Sequence, residues 1–89
     1  MKPHLSHPEI EKRLSRASGH LQKVIQMIQG ENSCLEVAQQ LQAVTNALVK
    51  AKQIYVQDHI EHCIQSAQGE NSIVPARKIK ELKEITKYL

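Results

Sequence analysis

Cys34, His59 and Cys63 are the residues whose types and spacing point to chemistry. His59 and Cys63 stand four residues apart, a spacing that brings two side chains to one face of a helix. A thiolate and an imidazole so placed can converge on one metal ion. The pair alone is a weak signal, and Cys34 strengthens it. Cys34 falls in the first turn of the same expected helix, whose positive end favours a thiolate. Two thiolates and one imidazole make a soft three-donor set. That set suits Cu(I), whereas Zn(II) normally takes a fourth ligand. His4 and His7 could add a fourth or fifth ligand and shift the preference toward Ni(II), Co(II) or Zn(II). His62 points about 100° away from Cys63 on a helix, so it is read as a residue supporting the ligands or exposed. His20 lies off the apolar face of its helix and is read as a surface residue.

These side chains need elements to hold them, and the chain reads as three helices. Ser6-His7-Pro8 opens the first, with Pro8 in the first turn and Glu9 and Glu11 near the positive end. Ile10, Leu14, Ala17, Leu21, Val24, Ile25 and Ile28 then form one face, which ends near Gly30. Ser33-Cys34-Leu35-Glu36 has the spacing of a capping box, with Ser33 as N-cap. No Gly or Pro interrupts the chain from there to Gln68, so the second helix is long. Gly69-Glu70-Asn71-Ser72 reads as a turn. Pro75 opens a third helix with Ile79, Leu82, Ile85 and Leu89 on its face. The expectation is an all-α fold with one long central helix, a single domain over residues 1–89, and a flexible tail over 1–6.

One straight helix cannot gather the three donors. Cys34 and His59 would stand roughly 37 Å apart along the axis. Two antiparallel copies can gather them, because Cys34 of one then falls opposite His59 and Cys63 of the other. The crossing point lies near Ala47, and Ala43, Ala47 and Ala51 form a row of small residues that lets two helices approach. A dimer of this kind holds two equivalent sites by symmetry.

Composition agrees with self-association. The chain has 89 residues, no Trp, no Phe and only two Tyr, so one copy has little with which to build a core. The formal charge is +3, mild for one chain but additive in an oligomer. No apolar run reaches the roughly 18 residues of a membrane span, and the N-terminus lacks the apolar stretch of a signal peptide. The chain is therefore expected to be cytoplasmic, make no membrane contact and keep its cysteines as thiols. An enzyme is disfavoured. A Cys/His pair can serve as nucleophile and base, but there is no Gly-rich phosphate cradle, no oxyanion loop, and no acid near His59 except its neighbour Asp58.

At these residues the chain resembles the CsoR/RcnR-type metal-sensing repressors of bacteria. The likeness runs over essentially the whole chain. Its marks are Arg13-Leu14-Ser15-Arg16-Ala17-Ser18-Gly19-His20-Leu21, Cys34, Gln39-Gln40-Leu41-Gln42-Ala43-Val44, and His59-Ile60-Glu61-His62-Cys63. The Cys, His, Cys spacing is the specific part and is most similar to the copper-sensing branch. The resemblance implies a tetramer built as a dimer of dimers from three-helix subunits. It implies a repressor of efflux genes that binds double-stranded operator DNA and leaves it when the inducer binds. It also implies DNA contacts from Arg13, Arg16, Lys50 and Lys52, with Lys12 extending the patch. Copper members carry a Tyr before the first Cys and a Glu in the last helix around the ligands. Glu81 matches the Glu, while Ser33 departs from the Tyr.

Other branches of the family differ at the sensing positions. Nickel and cobalt sensors add an N-terminal His, a role His4 could fill. A formaldehyde-sensing branch uses an exposed N-terminal Pro, and Lys2 before Pro3 argues against it. A persulfide-sensing branch lacks the His, and His59 argues against that. A cytosolic copper store or chaperone is the reading of a different class, and it has no need of the Arg13/Arg16 pair. Binding to DNA should be steeply salt-dependent, because phosphates are the main contacts. No aromatic residue is interleaved with the basic ones to stack single-stranded bases.

Overall fold

The computed structural model describes residues 7–67 and 76–89. Three α-helices account for most of it: α1 (His7–Gln29), α2 (Cys34–Ala67) and α3 (Ala76–Ile85), followed by one 3₁₀ turn over Thr86–Tyr88. The expected tail over 1–6 with His4, the turn at Gly69-Glu70-Asn71-Ser72, and the opening at Pro75 lie outside the described residues. The all-helical expectation holds, including the long central helix of 34 residues. None of the described helices is long and apolar enough to cross a membrane.

The joint between α1 and α2 is built from side-chain and backbone caps. Ser33 is the N-cap of α2, its Oγ accepting from Glu36 N–H at 3.1 Å. At the end of α1, Asn32 N–H donates to Met27 O at 3.2 Å and Gly30 N–H to Gln26 O at 2.8 Å. The left-handed residue that such a helix end requires is Glu31, with φ 60°, and no glycine has a positive φ. The sequence places Gly30 at this stop, so the chain adopts the strained conformation one residue later than glycine would permit cheaply.

From that joint α1 runs back antiparallel along α2. Residues 28 and 37 meet near the joint, His20 meets Gln40, and Ile10 and His7 reach Ala51 and Tyr55 at the far end. The buried seam is Ile10, Ala17 and Val24 on α1, spaced by seven, against Val44 and Ala51 on α2. Because α1 begins opposite Tyr55, the last turns of α2, which carry His59 and Cys63, extend beyond it. There α3 lies against α2, and α1 makes no packing contact with α3.

The alanine row is divided by the fold. Ala51 is 2% exposed beneath α1 of its own chain, and Ala47 borders α1 residues. Ala51 thus serves the close approach of α1 within the chain, while Ala43 and Ala47 stay exposed. A different stripe is left uncovered. Leu41, Leu48 and Tyr55, again spaced by seven, are 41–47% exposed, and Leu14, Leu21 and Ile28 repeat the pattern on α1. Each helix therefore buries one heptad stripe and leaves its neighbour open, as half of a four-helix bundle would.

Size makes the same point. The radius of gyration is 18.2 Å and the long axis 61 Å, against a radius of about 12 Å for a compact chain of this length. The accessible surface is 7165 Å², where a compact monomer of this mass exposes about 5,300 Å².

Candidate metal centre

His59 and Cys63 face the same side of α2, as their spacing requires. Cys63 Sγ lies 3.5 Å from His59 Nε2, and both side chains are half-buried. For metal bonds of about 2.3 Å to sulfur and 2.0 Å to nitrogen at tetrahedral angles, two donors on one ion stand about 3.5 Å apart. His59 and Cys63 therefore stand close enough on one face of α2 to share an ion, and rotation of the ring decides which nitrogen meets it. At the same nitrogen, α3 contributes Glu81, whose Oε1 is 3.0 Å from His59 Nε2. A carboxylate on a histidine nitrogen fixes the tautomer and raises the basicity of the ring. Nε2 cannot give a proton to Glu81 and a lone pair to a metal at once. Binding through Nε2 displaces the Glu81 contact, whereas binding through Nδ1 preserves it.

Cys34 stands elsewhere. It is exposed at the first turn of α2, beside an apolar cleft lined by Ile28, Asn32, Val37, Ala38 and Leu41. Twenty-five residues of helix separate it from His59, roughly 37 Å. Among the described residues of one chain, no three His, Cys, Asp or Glu side chains are grouped so as to hold a metal ion. The candidate donors are thus divided, His59 and Cys63 at one end of the hairpin and Cys34 at the other.

The remaining candidates are sorted by the fold. His7, a possible extra ligand, stacks on Tyr55 with ring centroids 5.4 Å apart and lies 3.9 Å from Asp58 Oδ2. It ties the start of α1 to α2 just before His59. His62 is half-buried on the neighbouring face. Ser33 caps α2 and therefore supports Cys34 through the backbone.

Among the basic residues, Arg13 and Arg16 border a cleft against Ala47, and Arg13 Nε lies 3.7 Å from Glu9. Lys12 is exposed beside them. Lys50 and Lys52 do not share a face, since two residues turn a helix by about 200°. Lys52 borders the other groove, with Ile10, Leu14, Leu48 and Tyr55, while Lys50 is one turn from Ala47.

His20 is not the surface residue its place off the apolar face suggests. It is half-buried, and its Nε2 is 2.6 Å from Gln40 Oε1 on α2. The signal was available, because His20 lies three residues after Ala17 and four before Val24, both in the buried seam.

The family model for metal-sensitive transcriptional repressors matches residues 6–88. The chain is 36% identical over 55 residues to the copper-sensing transcriptional repressor CsoR of Mycobacterium ulcerans (strain Agy99), covering 62% of this chain and 47% of the relative. The copper-sensing repressor RicR of Mycobacterium tuberculosis (strain H37Rv) is 34% identical over 59 residues, 66% of this chain and 62% of RicR. CsoR of Bacillus subtilis (strain 168) is 29% identical over 69 residues, 73% and 68% of the two chains. The matched segment spans about half the length of the first of these relatives.

A solved structure, the nickel-responsive transcriptional regulator InrS, superimposes with a TM-score of 0.81 at 33% identity, over 100% of this chain and 99% of that one. These relatives are regulators, not enzymes. With a matching family model over nearly every residue and the same three-helix subunit in InrS, the chain belongs to the metal-sensitive transcriptional repressor family.

Proposed function

We propose that this protein represses transcription by binding double-stranded operator DNA, and that Cu(I) releases it by bridging Cys34 of one subunit to His59 and Cys63 of another. The carrying observation is the division of donors between the two ends of the hairpin: the His59–Cys63 pair at 3.5 Å, and Cys34 at the opposite end. An antiparallel second copy, seated on the open stripe of Leu41, Leu48 and Tyr55, aligns the two half-sites. Position 48 lies almost midway between Cys34 and the His59–Cys63 pair, so the two-fold axis passes near Leu48.

When bound, the ion supplies a fixed cross-link between subunits. Glu81 holds the Nε2 proton of His59 and leaves the lone pair on Nδ1, the arrangement of a carboxylate–histidine–metal site. Because Glu81 is on α3, ligand geometry is conveyed to that helix. A dimer of dimers would bring several Arg13/Arg16 pairs to one duplex. Metal then favours a subunit arrangement whose basic residues no longer match the phosphates, and reciprocity requires DNA to weaken metal affinity by the same factor. Derepression of metal efflux genes follows from that sign of coupling.

Copper is preferred over nickel for two reasons. The donor set is soft and three-coordinate, which suits Cu(I). His7, the described candidate for an added nickel ligand, is engaged with Tyr55 and Asp58. The nickel-responsive neighbour InrS supports the second reading, a Ni(II), Co(II) or Zn(II) sensor that recruits an N-terminal His. A gel shift on DNA upstream of the protein's own gene separates these readings and also tests for a thiol-based sensor. Release by Cu(I) at sub-stoichiometric free metal supports the first, and release by Ni(II) alone supports the second. A complex indifferent to both metals and to thiol-reactive inducers contradicts the proposal.

A further inference from the structure

A cleft of about 240 Å³ opens where α1 crosses the middle of α2, lined by Arg13, Arg16, Ala17, His20 and Ala47. Three of its side chains are of basic type, two are methyl groups, and none is a carboxylate. Arg13 Nε is buried and has no hydrogen-bond partner. Glu9, at 3.7 Å, is too far to accept from it. Among the described elements α1 packs only on α2, and α2 has no charged residue from 37 to 49. The groups that face His20 are therefore Arg13 and Arg16 on its own helix and the neutral Gln40 and Ala47 on α2.

We propose that this cleft seats one backbone phosphate of duplex DNA, with His20 as the third cation beside Arg13 and Arg16. The inference rests on the repressor reading above and adds to it a residue and a pH response. Gln40 Oε1 accepts from His20 Nε2 at 2.6 Å, which orients the ring. With that proton in place, a neutral ring turns the Nδ1 lone pair on an incoming phosphate oxygen, and the two repel. A protonated ring donates from Nδ1 instead. Histidine is the side chain that changes charge near neutral pH, and a phosphate held by two guanidinium groups favours the charged form. Binding of DNA is then accompanied by uptake of a proton, so affinity rises as pH falls. One linked proton changes affinity by at most about tenfold per pH unit.

Orthophosphate offers the same oxygen chemistry. A strand is the better occupant because Lys12 and Lys50 lie one turn from Arg16 and Ala47 respectively. Neighbouring cations suit successive phosphates rather than an isolated ion.

The test is fluorescence anisotropy at fixed ionic strength with a labelled duplex from upstream of the protein's own gene. Wild type should bind about threefold or more tightly at pH near 6.5 than near 8, and His20→Gln should lose that gain. A full pH response in His20→Gln overturns the proposal while leaving the repressor reading intact. Failure of wild type to bind any duplex overturns both. Should His20→Gln not fold, the ring-proton NMR signal of His20 in wild type carries the test. It should move toward the imidazolium position when duplex is added near pH 7.5, and an unmoved signal overturns the proposal. Orthophosphate exchanged for chloride should leave that signal in place. A shift with orthophosphate and none with duplex assigns the cleft to a free ion and equally overturns it.

Discussion

Replacing Leu48 by glutamate should separate the subunits and abolish metal capture while every proposed ligand remains in place. Leu48 is 45% exposed in one chain. Full burial of a leucine side chain stabilises by about 1.5–3 kcal/mol, so covering the open part contributes about 1 kcal/mol per copy. An axis near residue 48 makes both copies count, for about 2 kcal/mol per dimer, or roughly 30-fold in the dissociation constant. Glutamate adds the cost of burying two like charges against each other, several kcal/mol each, which carries the total past about a thousandfold. Glutamate is a good helix former, so the change does not act by breaking α2. Sedimentation velocity across micromolar concentrations should show a smaller species for Leu48→Glu than for wild type. Titration with Cu(I) and a competing chelator should show no tight binding. If Leu48→Glu assembles like wild type, the open heptad stripe is not the interface and the reasoning from exposure fails.

Three further outcomes follow from local geometry. Glu81→Gln should keep the helices and the thiols but weaken Cu(I) binding by about 10-fold or more, through loss of the carboxylate on His59 Nε2; an unchanged chelator competition curve contradicts that role. Glu31→Gly should stabilise the joint by about 1 kcal/mol, because Glu31 occupies φ 60°, and thermal unfolding should rise by several degrees; a lower midpoint would show that the Glu31 side chain has another role. Arg13→Ala should weaken duplex binding and reduce the slope of log affinity against log salt by about 1, with metal binding retained; an unaltered slope excludes Arg13 as a phosphate contact.

Much of this fold was legible because each helix boundary is written in local chemistry. Ser33 with Glu36 three residues later marks the start of α2, and the residues between it and Ala67 contain nothing to stop a helix. The spacing of His59 and Cys63 was sufficient to place them on one face, and the likeness to copper sensors supplied Glu81, which indeed lies against His59. Faces were harder to read than elements. Alanines at 47 and 51 suit close approach of any helix, and the sequence does not say whether that helix belongs to the same chain. At Ala51 it is α1. Leu48, beside them, is the residue left open. His20 was misjudged for a related reason: a polar side chain on the edge of a buried seam can be satisfied by one partner, and Gln40 lies 20 residues distant in sequence. The exchange of Gly30 for Glu31 at the helix end shows the same limit, since one extra turn residue shifts the left-handed position.

The central claim, that the coordination sphere is shared between chains, has a direct measurement in subunit mixing. Cys34→Ala and Cys63→Ala each remove a donor from every site, so neither variant alone should bind Cu(I) tightly. In an equal mixture with free exchange, half of the dimers pair one of each, and each such dimer regains one complete site of its two. Tight Cu(I) sites should therefore recover to roughly one quarter of the wild-type number per chain. No recovery on mixing, or full tight binding by Cys34→Ala by itself, would contradict a shared site.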